Sequence, residues 1–318
     1  MTLSFRPVEG LDEVRAGDDI AEMIVGRWSL RHGDVVVVTS KIVSKAAGLT
    51  TTRTKDDLLA TETDRVVARR GETLIVRTHH GLTMAAAGID NSNTAPGTLI
   101  PLPPDPDASA SAIRARLHEA AGARVAVIIS DTAGRAWRVG QTDIAIGCAG
   151  ILPVDSFSGQ TDPYGNPLAV TAPAIVDQIA GGAELASGKF GARPVVVVRG
   201  ASPQWLLDED GPGARSLIRD EDADMFGLGA REAAVAAILG DGPVRGLPVD
   251  PGADIDDIIA LALRDLTFAR SDLHVAGSTV VVAADHANRL VEAGVLSQRL
   301  TSLAVAHGIL IDVRVESR

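Results

Sequence analysis

The sequence is poor in cysteine and in aromatic residues. Of its 318 residues one is cysteine, Cys148, and aromatic residues make up 3%. A single cysteine excludes an intramolecular disulfide, a CxxC redox pair and a cysteine-rich zinc site, and it indicates a reducing compartment. Because aromatic side chains are scarce, the core must consist mainly of Ala, Val, Leu and Ile. That composition is typical of parallel strands covered by alanine-rich helices.

The sequence also lacks a basic excess and long apolar runs. Its 30 Lys and Arg residues stand against 41 Asp and Glu residues, which gives a net charge of −11. This balance argues against a nucleic-acid backbone or an anionic membrane as the main partner. No stretch approaches about 18 consecutive apolar residues, and the N-terminal residues carry no signal pattern. We therefore expect a cytoplasmic protein.

The common nucleotide-binding and hydrolase motifs are absent as well. Segment Gly182–Lys189 comes nearest to a P-loop, but it has one residue too many between its glycines, and Phe190 stands where Ser or Thr is needed. No GxGxxG follows a predicted strand, and no GxSxG elbow exists. The histidines show no metal-ligand spacing. These absences exclude Walker-type and Rossmann-type sites.

Apolar runs alternate with helical patterns along the whole chain, which predicts an α/β class of mixed α+β type. The runs at Val35–Ser40 and Val125–Ser130 are continuous, so we expect strands buried on both faces. A charged stretch at Thr61–Arg70 is predicted to be helical. A helix is also expected at Asp18–Arg31, with acidic residues in its first turn.

A proline- and glycine-rich segment, Pro243–Gly252, divides the chain. It predicts a first domain of residues 1–240 and a small C-terminal α/β domain of residues 241–318. In the second domain we expect a helix at His286–Ala306 that is broken near Gly294.

Two aspartates are candidate metal ligands. Asp131 follows a continuous apolar strand, and Thr132 offers a second oxygen. A carboxylate at the end of a buried strand can hold a hard divalent cation without burying its charge in the core. Asp90 lies in GIDNSN, also after a predicted strand, and could share a metal ion with Asp131 if the strands are neighbours. A helix cap at Asp131 and an Asx turn at Asp90 are the alternatives.

Directly after the first buried strand, the residues Ser40, Lys41, Ser44 and Lys45 form a compact cationic and hydroxyl cluster. Phosphate groups need such donors, and lysine serves as a point charge for them. An ordinary solvated helix start is the alternative interpretation. Arg135, Trp137 and Arg138 could add cationic and stacking surface near Asp131, or form a plain surface loop.

Six segments, in order along the chain, resemble the coenzyme F420:L-glutamate ligases, a family that is free-standing in archaea and the N-terminal half of a two-domain protein in actinobacteria. The matching segments are Pro7–Ile20, Gly33–Gly48, Ala86–Asn93, Val127–Gly150, Asp162–Thr171 and Pro194–Gly200. The resemblance implies an F420 ligase-like fold with a small appended C-terminal unit.

The resemblance also implies a reaction. L-Glutamate would be added to the lactyl carboxylate of F420-0 at the expense of GTP, and further glutamates would follow through γ-linkages. The carboxylate would take the γ-phosphoryl group to give an acyl phosphate, which the glutamate amine attacks. The family further implies a homodimer, a requirement for Mg²⁺ or Mn²⁺, and K⁺.

The same resemblance assigns roles to residues. Asp90 and Asp131 would bind the first divalent ion and Thr132 a second. Asp90, Asp131 and Lys45 are the predicted catalytic residues. The residues predicted to bind GTP are Leu11, Asp12, Glu13, Val14, Ser40, Lys41, Lys45, Asn93, Leu185, Ala186, Ser187 and Gly188, of which the last four belong to a loop reaching Gly191.

The chain departs from the actinobacterial two-domain pattern after about Gly240. The residues that remain are too few for the flavin domain that normally follows, so no FMN is expected. Two alternatives to the F420 ligase stay open: a related amide-forming ligase acting on another phosphorylated carboxylate, and a non-catalytic partner that binds an F420 precursor or a nucleotide.

Overall fold

The computed structural model describes residues 2–92, 94–239, 254–285 and 287–317. They form two compact units, Met1–Ile218 and Arg219–Arg318. Both units combine helices with a sheet, which confirms the predicted mixed class. The predicted domain boundary between residues 240 and 241 lies outside the described residues and stays a prediction.

The first unit contains five helices and ten strands among its described residues. The helices are α1 (Ile20–Val25), α2 (Ser40–Ala46), α3 (Lys55–Glu62), α4 (Pro106–Ala121) and α5 (Ile175–Ser187). The strands are β1 (Ser4–Pro7), β2 (Val35–Thr39), β3 (Thr63–Arg70), β4 (Thr73–Thr78), β5 (Thr83–Ala85), β6 (Ala126–Gly134), β7 (Gln141–Ala149), β8 (Gln160–Thr161), β9 (Pro167–Leu168) and β10 (Val195–Arg199).

The central sheet of this unit has the strand order β1-β10-β2-β6-β7. Within it β2 and β6 pair in parallel, whereas the other three neighbouring pairs are antiparallel. The expectation of a parallel sheet is therefore wrong for most of the sheet. A valine-rich run indicates a strand that is buried on both faces, but it does not indicate the direction of the neighbouring strands. An antiparallel strand covered on both faces needs the same composition.

Both faces of the central sheet are covered, as the continuous apolar runs predicted. Val36 and Val38 of β2 point into a core that includes Ile113 and Leu117 of α4. Val35 and Val37 point to the other side, into a core formed with Ile175, Val176 and Ile179 of α5. Successive strand residues face opposite ways, so one four-valine run supplies two cores. Because both faces of the sheet are covered by apolar side chains, polar side chains lie at the ends of β2 and β6.

The prediction of a helix at Thr61–Arg70 is wrong. Helix α3 ends at Glu62, and the following residues form β3, which pairs with β4. The partly buried positions of β3 alternate with exposed ones from Thr63 onward, a period of two that fits a strand. Charged residues stand on exposed positions such as Asp64 and also on the partly buried position of Arg65, so the sequence shows no regular alternation of apolar and polar residues.

The predicted helix at Asp18–Arg31 is shorter in the structure. The carboxylate of Asp19 accepts hydrogen bonds from the backbone N–H groups of Ala21 and Glu22, which makes it the N-cap of α1. The helix ends at Gly26 after six residues. An N-cap aspartate satisfies amide groups that have no partner within the helix, which explains why the helix starts there.

The second unit contains helices and a separate three-stranded sheet. Its elements are α6 (Ala230–Leu239), α7 (Ile255–Ala262), β11 (Leu273–Ala276), β12 (Thr279–Ala284), α8 (Ala287–Ala306) and β13 (Asp312–Ser317). The strand order is β11-β12-β13, with β12 and β13 parallel. Buried apolar residues of α7, α8 and β12 form its own core. This unit starts at Arg219, and the predicted domain of residues 241–318 stays a prediction.

Helix α8 runs through Gly294 without interruption, so the predicted break is wrong. The exposed side of a helix tolerates one glycine at a cost of about 1 kcal/mol. Apolar residues on both sides of it, among them Ala293 and Leu296, are fully buried and hold the helix to its sheet. No helix in the described part of the chain is both long and apolar enough to cross a lipid bilayer.

Candidate active site

The candidate active site lies where the parallel strands β2 and β6 end. The last paired residues of these strands are Thr39 and Ser130, so Ser40 and Asp131 come next on the two chains. Ser40 begins α2 and is buried, and its Oγ donates a hydrogen bond of 2.6 Å to Asp131 Oδ1. Parallel pairing therefore joins a serine and an aspartate that are 91 residues apart.

Asp90 is brought to the site by an unusual turn. Ala86, Ala87 and Gly88 have positive φ angles of 49°, 54° and 70°. Non-glycine residues avoid this region because Cβ clashes with the backbone, and such strain, of order 1–3 kcal/mol per residue, tends to persist at functional sites. Two backbone hydrogen bonds with Ile100, of 3.0 and 2.9 Å, then hold Asp90 in place.

Lys41 is paired with Asp90. Its Nζ lies 2.7 Å from Asp90 Oδ2 and also donates to the carbonyl oxygen of Ser92. The other Asp90 oxygen accepts the backbone N–H of Ser92 at 2.6 Å, so the Asx turn is present together with the lysine contact. Burial alone would raise the pKa of Asp90, but hydrogen bonds from Lys41 and Ser92 outweigh it and hold that pKa below its usual value. Asp90 is therefore ionised at neutral pH.

Asp131 is in the opposite electrostatic situation. Burial raises its pKa to about 7, repulsion from Asp143 and Asp90 adds to the rise, and the hydrogen bond from Ser40 opposes it. A carboxylate in this position gains from any added positive charge, because the cation relieves both the lost hydration and the repulsion. The helix-cap alternative for Asp131 does not apply, because Asp131 lies within β6.

The predicted GTP-binding segment 11–14 is partly core and partly surface. Val14 is buried, and Leu11 packs against the same core. Asp12 is exposed and lies 3.3 Å from Arg27, and Glu13 Oε1 lies 3.5 Å from Lys45 Nζ. The segment thus reaches the end of α2 through an ion pair at Glu13.

The two remaining members of the cationic and hydroxyl cluster have different roles. Ser44 is fully buried, and its Oγ donates to the carbonyl oxygen of Pro101 at 2.7 Å. Ser44 therefore stabilises the fold. The side chain of Lys45 is 14% exposed and meets Glu13. The structure thus brings Ser40, Lys41 and Lys45 to the same end of the sheet as Asp131.

Thr132 leaves β6 on the face opposite Asp131. The two are consecutive strand residues, and side chains of consecutive strand residues point to opposite faces. Thr132 Oγ1 donates a 2.8 Å hydrogen bond to Asp143 Oδ1 on β7. The carboxylate of Asp143 is buried and also accepts from Ser130 Oγ at 2.9 Å. Asp143 was missed in the sequence, which does not show that its side chain meets two hydroxyl groups of another strand.

Comparison with known proteins matches the residues that build this site. Residues 10–56 and 51–200 match the family model described as F420-0:Gamma-glutamyl ligase. The chain belongs to this ligase family. Coenzyme F420:L-glutamate ligase of Methanothermobacter thermautotrophicus is 37% identical over 252 residues, which cover 71% of this chain and 99% of that protein. The namesake proteins of Methanopyrus kandleri and Archaeoglobus fulgidus are each 36% identical, covering 71% of this chain and 98% and 97% of theirs.

Membership of the ligase family makes the chain an enzyme. The family model ends at residue 200, so the second unit, Arg219–Arg318, lies beyond it. The resemblance inferred from six sequence segments is thereby confirmed.

The predicted GTP-binding loop near the end of α5 differs from the expected loop. Leu185, Ala186 and Ser187 form the last turn of α5, and Gly188 is its C-cap. Ser187 Oγ donates to the carbonyl oxygen of Glu184, a contact within the helix. The role of these residues in the ligase stays a prediction, and so does that of Asn93, which lies outside the described residues.

The donor set at the sheet end fits a hard divalent cation. Two carboxylates, Asp90 and Asp131, and a serine hydroxyl are oxygen ligands of the kind that Mg²⁺ and Mn²⁺ take. Asp131 has its pKa raised to about 7, which is expected of a carboxylate awaiting positive charge. In the described part of the chain, no group of three or more His, Cys, Asp or Glu side chains forms a ready cage. A bound phosphate and water would therefore have to complete the coordination.

Cys148 takes no part in this chemistry. It is 2% exposed on β7, and burial, aided by Asp107 and Asp177, raises the pKa of its thiol to about 12. A thiol with such a pKa is inert, because the thiolate is the reactive form. Cys148 therefore serves as a small residue of the core.

Proposed function

We propose that this ligase joins L-glutamate to the lactyl carboxylate of F420-0 at the expense of GTP. The observation that carries the proposal is the meeting of Asp131, Ser40, Asp90 and Lys41 at the end of β2 and β6. Ser40 Oγ lies 2.6 Å from Asp131 Oδ1, and Lys41 Nζ lies 2.7 Å from Asp90 Oδ2. Phosphoryl transfer needs such an arrangement, since it depends on positioning and on neutralising charge.

The proposed reaction has two steps. A carboxylate oxygen of F420-0 attacks the γ-phosphorus of GTP, the bond to the β-phosphate oxygen breaks, and GDP leaves. The glutamate amine then attacks the acyl carbon, loses a proton and expels inorganic phosphate. The products are one amide, one GDP and one phosphate. Further glutamates would be added by the same steps at the γ-carboxylate of the growing tail.

Each site residue has a proposed task in this reaction. Lys41 and Lys45 would contact the phosphate oxygens of GTP, and Ser40 would hold Asp131 in place. Asp90 and Asp131 would hold Mg²⁺ or Mn²⁺, which when bound supplies positive charge to the transferring phosphoryl group. We further propose that the enzyme uses K⁺ and works as a homodimer, as the family resemblance implies.

The test is to incubate the protein with F420-0, GTP, L-glutamate and Mn²⁺ and to follow the products by mass spectrometry. We expect F420 species heavier by whole glutamate residues, with one GDP and one phosphate released for each. Hydroxylamine added in place of glutamate should trap the acyl phosphate as a hydroxamate. The variant Asp131→Asn provides the inactive control. Absence of glutamate adducts together with absence of GTP turnover would contradict the proposal.

A further inference from the structure

Asp143 is a buried carboxylate of the first unit that the proposed chemistry leaves unused. It is 7% exposed, and each of its oxygens accepts a hydroxyl group of β6. Ser130 Oγ donates to Oδ2 at 2.9 Å, and Thr132 Oγ1 donates to Oδ1 at 2.8 Å. These two donors are the residues on either side of Asp131. The Asp143 carboxylate therefore binds β6 at the residue before and at the residue after Asp131, the candidate metal ligand.

The position of Asp143 is itself fixed from two sides. It is paired with Thr132 in the register of β6 and β7. Its backbone N–H donates a 3.0 Å hydrogen bond to Glu184 Oε2 on α5. Glu184 directly precedes the helix end that is predicted to approach GTP. Asp143 thus links the tip of β6 to the last turn of α5.

The hydrogen bonds also decide what the hydroxyl of Thr132 can do. Thr132 Oγ1 is the donor and Asp143 Oδ1 the acceptor of their hydrogen bond, so the single hydroxyl proton of Thr132 points at Asp143. Both lone pairs of Oγ1 are then left for another partner. A hydrogen bond to a charged acceptor also draws the proton away from Oγ1 and makes that oxygen a better ligand for a cation.

Among the described residues, no lysine or arginine forms an ion pair with Asp143, and its hydroxyl partners carry no charge. A buried carboxylate without a counter-ion is costly for the fold. An apolar residue would fill the same space without that cost, so stabilising the fold does not explain why a carboxylate is present here. The cost is understandable if the carboxylate orients the hydroxyl groups that it binds.

We propose that Asp143 is a positioning residue of the ligase site, which turns the Thr132 hydroxyl so that its oxygen can bind a divalent cation held with the nucleotide. This inference rests on the proposed function for the nature of the ligand. It predicts that Asp143 acts through Thr132 and has little effect once that hydroxyl is gone.

The experiment is a double-mutant cycle read by Mn²⁺ binding. The affinity for Mn²⁺ is measured by electron paramagnetic resonance in the presence of a non-hydrolysable GTP analogue, for wild type, Asp143→Asn, Thr132→Val and the double variant. We expect Asp143→Asn to weaken Mn²⁺ binding about tenfold or more, the size of effect usual for residues that orient a metal ligand. In the Thr132→Val background the same change should alter the affinity by less than about twofold.

Asp177→Asn is the matched control. Asp177 is another partly buried carboxylate of α5, and it accepts the backbone N–H of Ala145 on β7 at 2.9 Å. The change removes the same charge beside the same strand without touching a β6 hydroxyl. We expect Mn²⁺ affinity close to wild type. Thermal melts of all variants show whether each is folded under the conditions of the titration.

The outcomes separate this inference from the proposed function. Equal losses of Mn²⁺ affinity from Asp143→Asn in both backgrounds would overturn it, as would no loss in either or a wild type that binds no Mn²⁺. Because F420-0 and glutamate are absent from the titration, a positive cycle stands even if the ligation assay fails. A negative cycle beside normal ligation would remove the role of Asp143 alone.

Discussion

A carboxylate lies at each end of the β2–β6 strand pair, and the two carboxylates differ in the groups that neutralise them. At the start of β2, Asp34 is 1% exposed and is held by Arg199 through two hydrogen bonds of 2.7 and 2.6 Å. The backbone N–H of Arg31 adds a third. At the far end Asp131 receives the Ser40 hydroxyl, while the nearby lysine, Lys41, is turned to Asp90.

One of these carboxylates has a cationic partner within the protein, and the other does not. The charge of Asp34 is matched by a guanidinium in a two-pronged geometry, which is the strong form of such a pair. The charge of Asp131 is not matched by the protein, and repulsion from two other carboxylates adds to the burial penalty. Proteins keep such an unfavourable arrangement where a ligand compensates for it. The predictions below address the two ends in turn.

The largest effect is expected from Asp131→Asn. The amide preserves the shape but cannot bind a cation as a carboxylate does, so ligation should fall by about 10³-fold. The rate of GDP release with saturating substrates measures this. A thermal melt that shows the variant to be folded under the assay conditions is the control. A variant that keeps a tenth of the wild-type rate would contradict the role given to Asp131.

Asp34→Ala should act on stability instead. It leaves Arg199 partly buried without its partner, and breaking a buried pair in this way costs about 3 kcal/mol. Denaturant unfolding would show a lower midpoint with an unchanged slope. At a temperature where the variant is folded, its turnover should match wild type. A loss of turnover without a loss of stability would show that the two ends are not separate in function.

The pH dependence of stability in the metal-free protein should report Asp131. Its pKa is about 7 in the folded state against a model value of 3.8, so between these values the folded state holds a proton that the unfolded state has lost. The free energy of unfolding therefore falls as pH rises from about 4 to 7, and levels off above. Asp131→Asn should remove this part of the pH dependence and be the more stable protein at pH 8.

Adding Mn²⁺ to the wild type should reverse that loss. A cation bound to the ionised carboxylate favours the deprotonated folded state, so the stability at pH 8 should increase with Mn²⁺ concentration. The same titration of Asp131→Asn is the comparison. An equal increase in both proteins would place the ion elsewhere.

The smallest effect is expected from Ser44→Ala. Ser44 lies four residues after Ser40 on α2, but its hydroxyl bonds to the Pro101 carbonyl and serves the fold. Its loss should lower the free energy of unfolding by about 1 kcal/mol and leave the kinetics unchanged. Ser40→Ala is the matched variant at the site, and its effect should appear in the rate. Similar kinetics for the two would mean that closeness to Asp131 does not matter.

Much of the local structure could be predicted. The four-valine run of β2 and the apolar first half of β6 follow from continuous apolar sequence. The failures were at β3, at Gly294 of α8, in the length of α1 and in the strand directions of the central sheet. In β3 the charged residues hid a two-residue period, and in α8 burial on both sides of the glycine outweighed its low helix propensity.

The site was predicted less completely than the fold. Asp90, Asp131, Ser40 and Lys41 were found because each follows an apolar strand or stands in a cluster of donors. Asp143 was missed, because an aspartate at the start of an apolar strand resembles an ordinary strand end until its partners are known. Its two hydroxyl partners lie on another strand, and sequence spacing carries no information on which strands pair.

The sequence by itself determined most of the strands and helices, the apolar faces of the buried strands and the family to which the chain is similar, because these depend on neighbours in the chain. Only the tertiary structure decided that β2 and β6 are adjacent and parallel. That pairing places Ser40 on Asp131 and Lys41 beside Asp90, and the pairing of β6 with β7 gives Thr132 to Asp143. Hydrogen bonds and charge repulsion act over a few ångströms in space, whatever the distance along the chain.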